Sequence, residues 1–245
     1  MTHFELIAVE GLPEVRPGDD LGELIISRSR LATGDILVVA QKVVSKSEGR
    51  LVSLRTVTAS DEAVHIASRL VASPDPRMVQ VVLDESVRVI RSERALITET
   101  RHGFVCANGG VDHSNVPGDD QLTLLPEDPD ASAHQLRNRL RELTRATVGV
   151  IVSDTFGRPW RLGIVNVALG VAGLPALLDL RGSLDDQGKP LQATVLALAD
   201  ELAAAAGLVM GKTNRAPVVI IRGLSLHGSG AGRDLLRPAA EDLFR

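Results

Sequence analysis

Apolar residues along the chain recur with two periods. Short aliphatic, largely β-branched runs at residues 4–9, 36–40, 148–153 and 218–222 read as strands, the inner ones apolar enough to be buried on both faces. Runs at 79–83, 87–90 and 95–98 read as further strands. Helical spacing appears at 21–29 through Leu21, Leu24, Ile25 and Arg28, and at 60–71 through Ala63, Ile66, Ala67 and Leu70. Ser60 is placed to cap the second of these, and Pro74 and Pro76 to end it. Another helix starts near Asp130 or Ser132, where Ser132 and Gln135 have capping-box spacing, and carries Leu136, Leu140 and Leu143. The last covers 193–206, with Val195, Leu198, Ala199 and Leu202 on its stripe and Gly207 as its stop. Helices and strands mix without regular βαβ alternation. The pattern therefore predicts an α+β fold of mixed or antiparallel sheets with packed helices. No repeat or linker divides residues 1–245, which read as one unit with room for two closely packed subdomains.

Composition narrows the function classes. The 245 residues are 44% hydrophobic and 24% charged, which suits a globular chain with a substantial core. Four Phe, one Trp and no Tyr leave that core to aliphatic side chains and argue against a base-stacking platform. With 27 basic against 31 acidic residues, the net charge of −4 lacks the basic signature of a nucleic-acid binder. Lone Cys106 excludes an intrachain disulfide and a cysteine zinc knuckle. No leader-like start and no apolar run of about 18 residues is visible. The expectation is a cytoplasmic chain with no membrane partner.

Two places set carboxylates where strand meets loop. In Cys106-Ala-Asn-Gly-Gly-Val-Asp112, the paired glycines permit positive φ and can aim Asp112 into a site. Asp154 and Thr155 follow the 148–153 strand, at an end where open sheets place ligand-handling groups. Two carboxylates and a hydroxyl suit Mg²⁺ or Mn²⁺, although the plainer reading of the residues alone is that Asp112 caps a turn and Asp154 the next element. Lys42, Lys46 and Arg50 would stack on one face of a helix and could grip phosphates, or simply face solvent. Arg158, Trp160 and Arg161 lie just beyond Asp154. They read either as guanidinium and ring contacts to a ligand, or as a Trp-anchored loop with solvated arginines. There is no GxxxxGK[ST] loop, no HExxH and no GxSxG. Gly228, Gly230 and Gly232 fit a flexible surface loop better than a phosphate cradle.

In order, Gly11-Leu-Pro-Glu-Val15, Gln41-Lys-Val-Val-Ser-Lys-Ser-Glu-Gly-Arg50, Gly110-Val-Asp-His-Ser-Asn115, Ser153-Asp-Thr-Phe-Gly-Arg-Pro-Trp-Arg161 and Ala199-Asp-Glu-Leu-Ala-Ala-Ala-Ala206 resemble the coenzyme F420-0:L-glutamate ligase family over nearly the whole chain. The resemblance implies an intertwined homodimer that uses GTP, Mn²⁺ or Mg²⁺ (two ions) and K⁺. It would join L-glutamate to coenzyme F420-0, then add a γ-linked glutamate through an acyl phosphate, releasing GDP and phosphate. Leu12, Pro13, Glu14, Val15, Gln41, Lys42, Lys46 and Asn115 fall on the family's nucleotide contacts. Asp112, Asp154 and Thr155 fall on its metal ligands, and Arg158 and Arg161 are assigned to the acidic substrate.

Two departures accompany the resemblance. Archaeal members tend to carry a glutamine that approaches the metal where this chain has Lys212, and a protonated ammonium cannot ligate a cation. The motifs are closest to the N-terminal part of an actinobacterial two-domain form, but no flavin reductase domain is expected within these residues. Alternatives are a related metal- and nucleotide-dependent amide ligase for another acidic substrate, or a nucleotide-binding regulatory protein of the same fold.

Overall fold

The computed structural model describes residues 3–113, 120–212, 214–224 and 226–242. In chain order the first half comprises β1 (Glu5–Ala8), α1 (Leu21–Ile26), β2 (Ile36–Ala40), α2 (Gln41–Ser47), β3 (Leu51–Ser53), α3 (Asp61–Arg69), α4 (Pro76–Asp84), β4 (Ser86–Arg91), β5 (Ile97–Thr100), β6 (Val105–Ala107) and β7 (Gln121–Thr123). There follow α5 (Pro129–Thr144), β8 (Gly149–Arg158), β9 (Arg161–Ala172), β10 (Leu178–Asp179), β11 (Val195–Leu196), α6 (Leu198–Met210) and β12 (Val218–Arg222). The fold is the α+β mixture expected.

A five-stranded sheet in the order β1-β12-β2-β8-β9 organises the molecule, antiparallel except where β2 pairs parallel with β8. Side chains alternate across it. Leu37, Val39, Val150, Val152, Val218 and Ile220 face one layer with Leu21, Ile25, Leu136 and Leu140 of α1 and α5. Ile36, Val38, Ile151, Val219 and Ile221 face the opposite layer, against Ala199, Leu202, Ala203 and Ala206 of α6. Burial of each large aliphatic contributes roughly 1.5–3 kcal/mol. At the sheet end away from the β2–β8 carboxyl termini, the buried Asp35 carboxylate accepts from Arg222 Nε at 2.8 Å and Nη2 at 2.7 Å, clamping β12 to β2. Residues from β3 to β7 form an insertion with its own core of Ile66, Leu70, Val79, Val82, Leu96 and Leu122.

Several expectations give way to specific local causes. Residues 79–83 are helical in α4, because Asp75 caps its first turn and Pro76 sits where a missing N–H is harmless. Asp128, rather than Ser132, caps α5 by accepting from Ala131 N–H at 3.0 Å. The strand expected to stop at Ser153 continues to Arg158 and returns as β9, with Pro159 and a left-handed Trp160 (φ 57°) making the turn. Gly207 does not end α6, which runs from Leu198 to Met210 with Gly211 at its close. The Gly228–Gly232 segment is close-packed rather than flexible: a Cβ on Gly232 would lie 2.1 Å from the Leu169 carbonyl oxygen.

Gly170 of β9 lies so near α5 that a Cβ would fall 2.0 Å from the Pro129 carbonyl oxygen, whereas one on Gly157 would meet nothing within 4 Å. Gly170→Ala is therefore expected to lower unfolding stability by about 2 kcal/mol or more in urea titrations, with Gly157→Ala as a near-neutral control. Equal midpoints for the two variants would contradict this packing.

Candidate functional site

The parallel β2–β8 pair ends with Ala40 opposite Ser153. Chain direction changes here: β2 runs directly into α2, while β8 carries on past the end of β2, paired with β9 alone. Ligands bind at such carboxyl ends because the diverging chains leave a crevice. A cavity of about 420 Å³ opens at this point. Its walls come from the loop Leu12–Pro13–Glu14–Val15, from Gln41, Lys42 and Lys46 of α2, from Asp112, and from Ser153, Asp154 and Thr155 of β8. Asn166 of β9 and the α6–β12 connection, including Lys212 and Arg215, complete it.

Local structure explains how each group is aimed. Lys42 and Lys46 are one helical turn apart and share a face of α2. Arg50, beyond the helix end, turns away to Glu85 (2.8 Å) and the Leu125 carbonyl oxygen (3.0 Å), so the expected three-cation stack contains only two at the cavity. Asp112 is held by exchange of backbone hydrogen bonds with Thr123 at 3.0 and 2.8 Å. The turn before it uses Gly109 and Gly110 at φ 59° and 72°, and a Cβ on Gly110 would lie 2.6 Å from Leu125 Cγ. A register shift in the β8–β9 pairing between Val152 and Ser153 leaves Leu169 of β9 as an extra residue opposite that step, close to Asp154 in the ladder. Such a bulge bends its own strand and increases the local twist of the pair.

The electrostatics are those of a mixed-charge cluster. Lys42 Nζ lies 2.7 Å from Asp112 Oδ2, and the nearly buried Lys46 pairs with Glu14. Lys212 Nζ donates to Thr155 Oγ1 at 2.5 Å. Burial, opposed by the Thr155 backbone N–H and reinforced by the negative charge of Asp112, pushes the Asp154 carboxyl up to about 6; Lys212 and Lys42 pull it back down. The two aspartates thus act on one another across the cavity. Burial first, then the Asp154 charge, pushes the Cys106 thiol up to about 12, so it is no nucleophile. Gln41 Nε2 and Ser153 Oγ are buried without a hydrogen-bond partner among the described residues. An unsatisfied buried polar atom costs about 1–3 kcal/mol, which a ligand would relieve.

Asp112, Asp154 and the Thr155 hydroxyl line this cavity and are oxygen donors of the kind a hard divalent ion takes together with phosphate oxygens and water. Among the described residues, no group of three or more His, Cys, Asp or Glu side chains forms a closed protein cage.

A sequence profile for F420-0:gamma-glutamyl ligase matches residues 11–223. The chain belongs to the F420-0:gamma-glutamyl ligase family. It is 49% identical to the coenzyme F420:L-glutamate ligase of Methanothermobacter thermautotrophicus, the match covering 99% of each chain. It is 47% identical to the protein of that name from Methanopyrus kandleri, over the full length of both. The Methanocaldococcus jannaschii protein of the same name is 44% identical, over 98% of this chain and 96% of its own.

Of the ligase-family positions expected from sequence, Leu12, Pro13, Glu14, Val15, Gln41, Lys42, Lys46, Asp112, Asp154 and Thr155 all line the one cavity. Asn115 lies outside the described residues. Arg158 and Arg161 are not brought to the cavity lining; they are exposed at the end of the β8–β9 hairpin, where Arg158 Nη2 donates to the Leu162 carbonyl oxygen at 2.8 Å. Trp160, 80% exposed at the same turn, neither lines the cavity nor anchors the hairpin in a core. Sequence reasoning missed Ser153, Asn166 and Arg215. Gly207 of α6 makes room for Asn166: a Cβ there would come within 3.1 Å of Asn166 Cγ, so this helical glycine is a packing residue.

Because Asp154 titrates near 6 in the folded protein and near 3.8 otherwise, its ionised form disfavours folding above the higher value. That penalty vanishes as pH falls through the lower one. In EDTA without nucleotide, Asp154→Asn should be more stable than wild type at about pH 8, by something on the order of 2–3 kcal/mol. The two should converge near pH 4. A stability gap independent of pH would contradict the assigned environment.

Proposed function

We propose that the protein is a GTP-dependent ligase that joins L-glutamate to coenzyme F420-0 and then adds a second, γ-linked glutamate. The observation that carries this reading is the meeting of Asp112 and Asp154 with Lys42, Lys46 and Lys212 in a single cavity, in a chain whose relatives bear the ligase name over their full length. Amide formation from a free carboxylate needs activation. The terminal carboxylate of the acceptor attacks the γ-phosphorus of GTP, the bond to the β–γ bridging oxygen breaks, and GDP leaves. The glutamate amine then attacks the acyl phosphate carbon, loses a proton and expels inorganic phosphate. Both steps concentrate anionic charge, and fixed cations rather than a covalent nucleophile answer that need.

The residues at hand support each role. Lys42 and Lys46 are already matched with Asp112 and Glu14, so phosphate oxygens can take over the ammoniums with little net change in charge. Asp112 and Asp154 would hold Mg²⁺ or Mn²⁺, whose chemistry is to polarise the transferring phosphoryl group. Gln41 Nε2 and Ser153 Oγ, buried at the cavity wall, are available to the nucleotide.

The protein is further assigned as a homodimer. β9 is an edge of the main sheet, and its hairpin carries Leu162 (98% exposed) and Ile164 (60%) beside Trp160. Edge strands and apolar patches of this kind are usually covered by a partner. A role for Arg158 and Arg161 at the acidic substrate then requires the hairpin to reach a second copy.

Incubation with GTP, Mn²⁺, K⁺, L-glutamate and F420-0 should give products heavier by one and then two glutamate residues in mass spectra. Asp154→Asn should lose glutamate-dependent GTP hydrolysis by roughly two orders of magnitude or more while staying folded. Modification of a different acidic acceptor, with F420-0 untouched, would shift the substrate assignment. Binding of GTP without turnover of any acceptor would leave a nucleotide-binding protein instead. Light scattering should show a dimer for wild type and a monomer for Leu162→Asp; a monomeric wild type would refute the assembly.

A further inference from the structure

Thr155 follows Asp154 directly along β8, and the two side chains line the same cavity as Asp112. The Thr155 hydroxyl is already engaged, because Lys212 Nζ donates to its oxygen at 2.5 Å. Lys212 comes from the connection after α6 and reaches into this corner from outside the sheet. Two divalent ions over a triphosphate would need one of them on Thr155. That ion would face an ammonium sharing its own ligand, with no further acidic side chain to offset the like charge: among the described residues lining the cavity the acids are Glu14, which lies with Lys46, and Asp112 and Asp154, which the first ion takes. The donor set therefore fits one ion and does not fit two.

We infer that Lys212 is the second cation of this site: the Asp112–Asp154 pair takes a single divalent ion, and the Lys212 ammonium, anchored on Thr155, supplies the other positive charge to the phosphates. The inference rests on the nucleotide and metal reading of this cavity and corrects the expectation of two ions. A tethered ammonium differs from a metal in two ways. It is always present, so turnover should depend on free Mn²⁺ to the first power. It also donates hydrogen bonds to phosphate oxygens and provides no open coordination position.

The test counts ions directly. Wild type and Lys212→Gln, both saturated with GDP, are titrated with Mn²⁺, and bound ion per chain is read from the loss of the free Mn²⁺ electron paramagnetic resonance signal. Lys212 is exposed, so the substitution leaves the core alone. The expected result is one ion per chain for wild type and for Lys212→Arg, and two for Lys212→Gln. Two ions in wild type would overturn the inference, as would one ion in Lys212→Gln. No ion in wild type would overturn the metal reading and this inference with it, while the ligation assay on the same preparation would show separately whether the ligase reading stands.

Discussion

The parallel pairing of β2 with β8 is the constraint from which the site follows. Parallel neighbours cannot be joined by a tight turn, so the chain must leave the sheet after β2 before it returns as β8. The two strands part here, β2 entering α2 at Gln41 and β8, still paired with β9, running on through Asp154 and Thr155. The register that sets Ala40 opposite Ser153 brings the first lysine-bearing turn of α2 beside the aspartate. Buried aliphatic side chains on both sheet faces fix that register, since a slip by one residue would exchange the faces packed on α5 and α6.

Charge balance is the second theme. The cavity holds acids and ammoniums in contact, so neither a bare acidic pocket nor a bare basic one has to be stabilised before substrates arrive. Desolvation and the neighbouring Asp112 raise Asp154, while Lys42 and Lys212 limit the rise. A polyanion arriving together with a cation would exchange partners within this set rather than create buried charge. That is cheaper than bringing an isolated phosphate into a dry pocket.

Much of this was legible in the sequence, for identifiable reasons. Strands β2 and β12 are β-branched runs bounded by turns, and α3 has its Ser60 cap and a clean apolar stripe. The cavity residues from Leu12 to Thr155 were found because they occur as motifs in fixed order. Residues 79–83 misled because Val79, Val81 and Val82 are all buried in α4, so a helical segment imitated a strand run. The hairpin beyond Asp154 was hidden by Gly157 and Pro159, which look like a loop but occupy the far end of a strand and its turn. Arg158 and Arg161 were drawn to the site by nearness in sequence, whereas β8 stays extended beyond Thr155 and carries them to its far end. Ser153 and Asn166 carry no motif; only tertiary packing reveals them.

The central claim is that Asp112 and Asp154 share one ion over a bound nucleotide. Diffraction from crystals of the GDP–Mn²⁺ complex, collected at the manganese absorption edge, tests it most directly. The account predicts an anomalous peak about 2–2.3 Å from a carboxylate oxygen of each aspartate and in contact with nucleotide phosphate. Manganese and nucleotide bound elsewhere, with Lys42 still on Asp112, would contradict it.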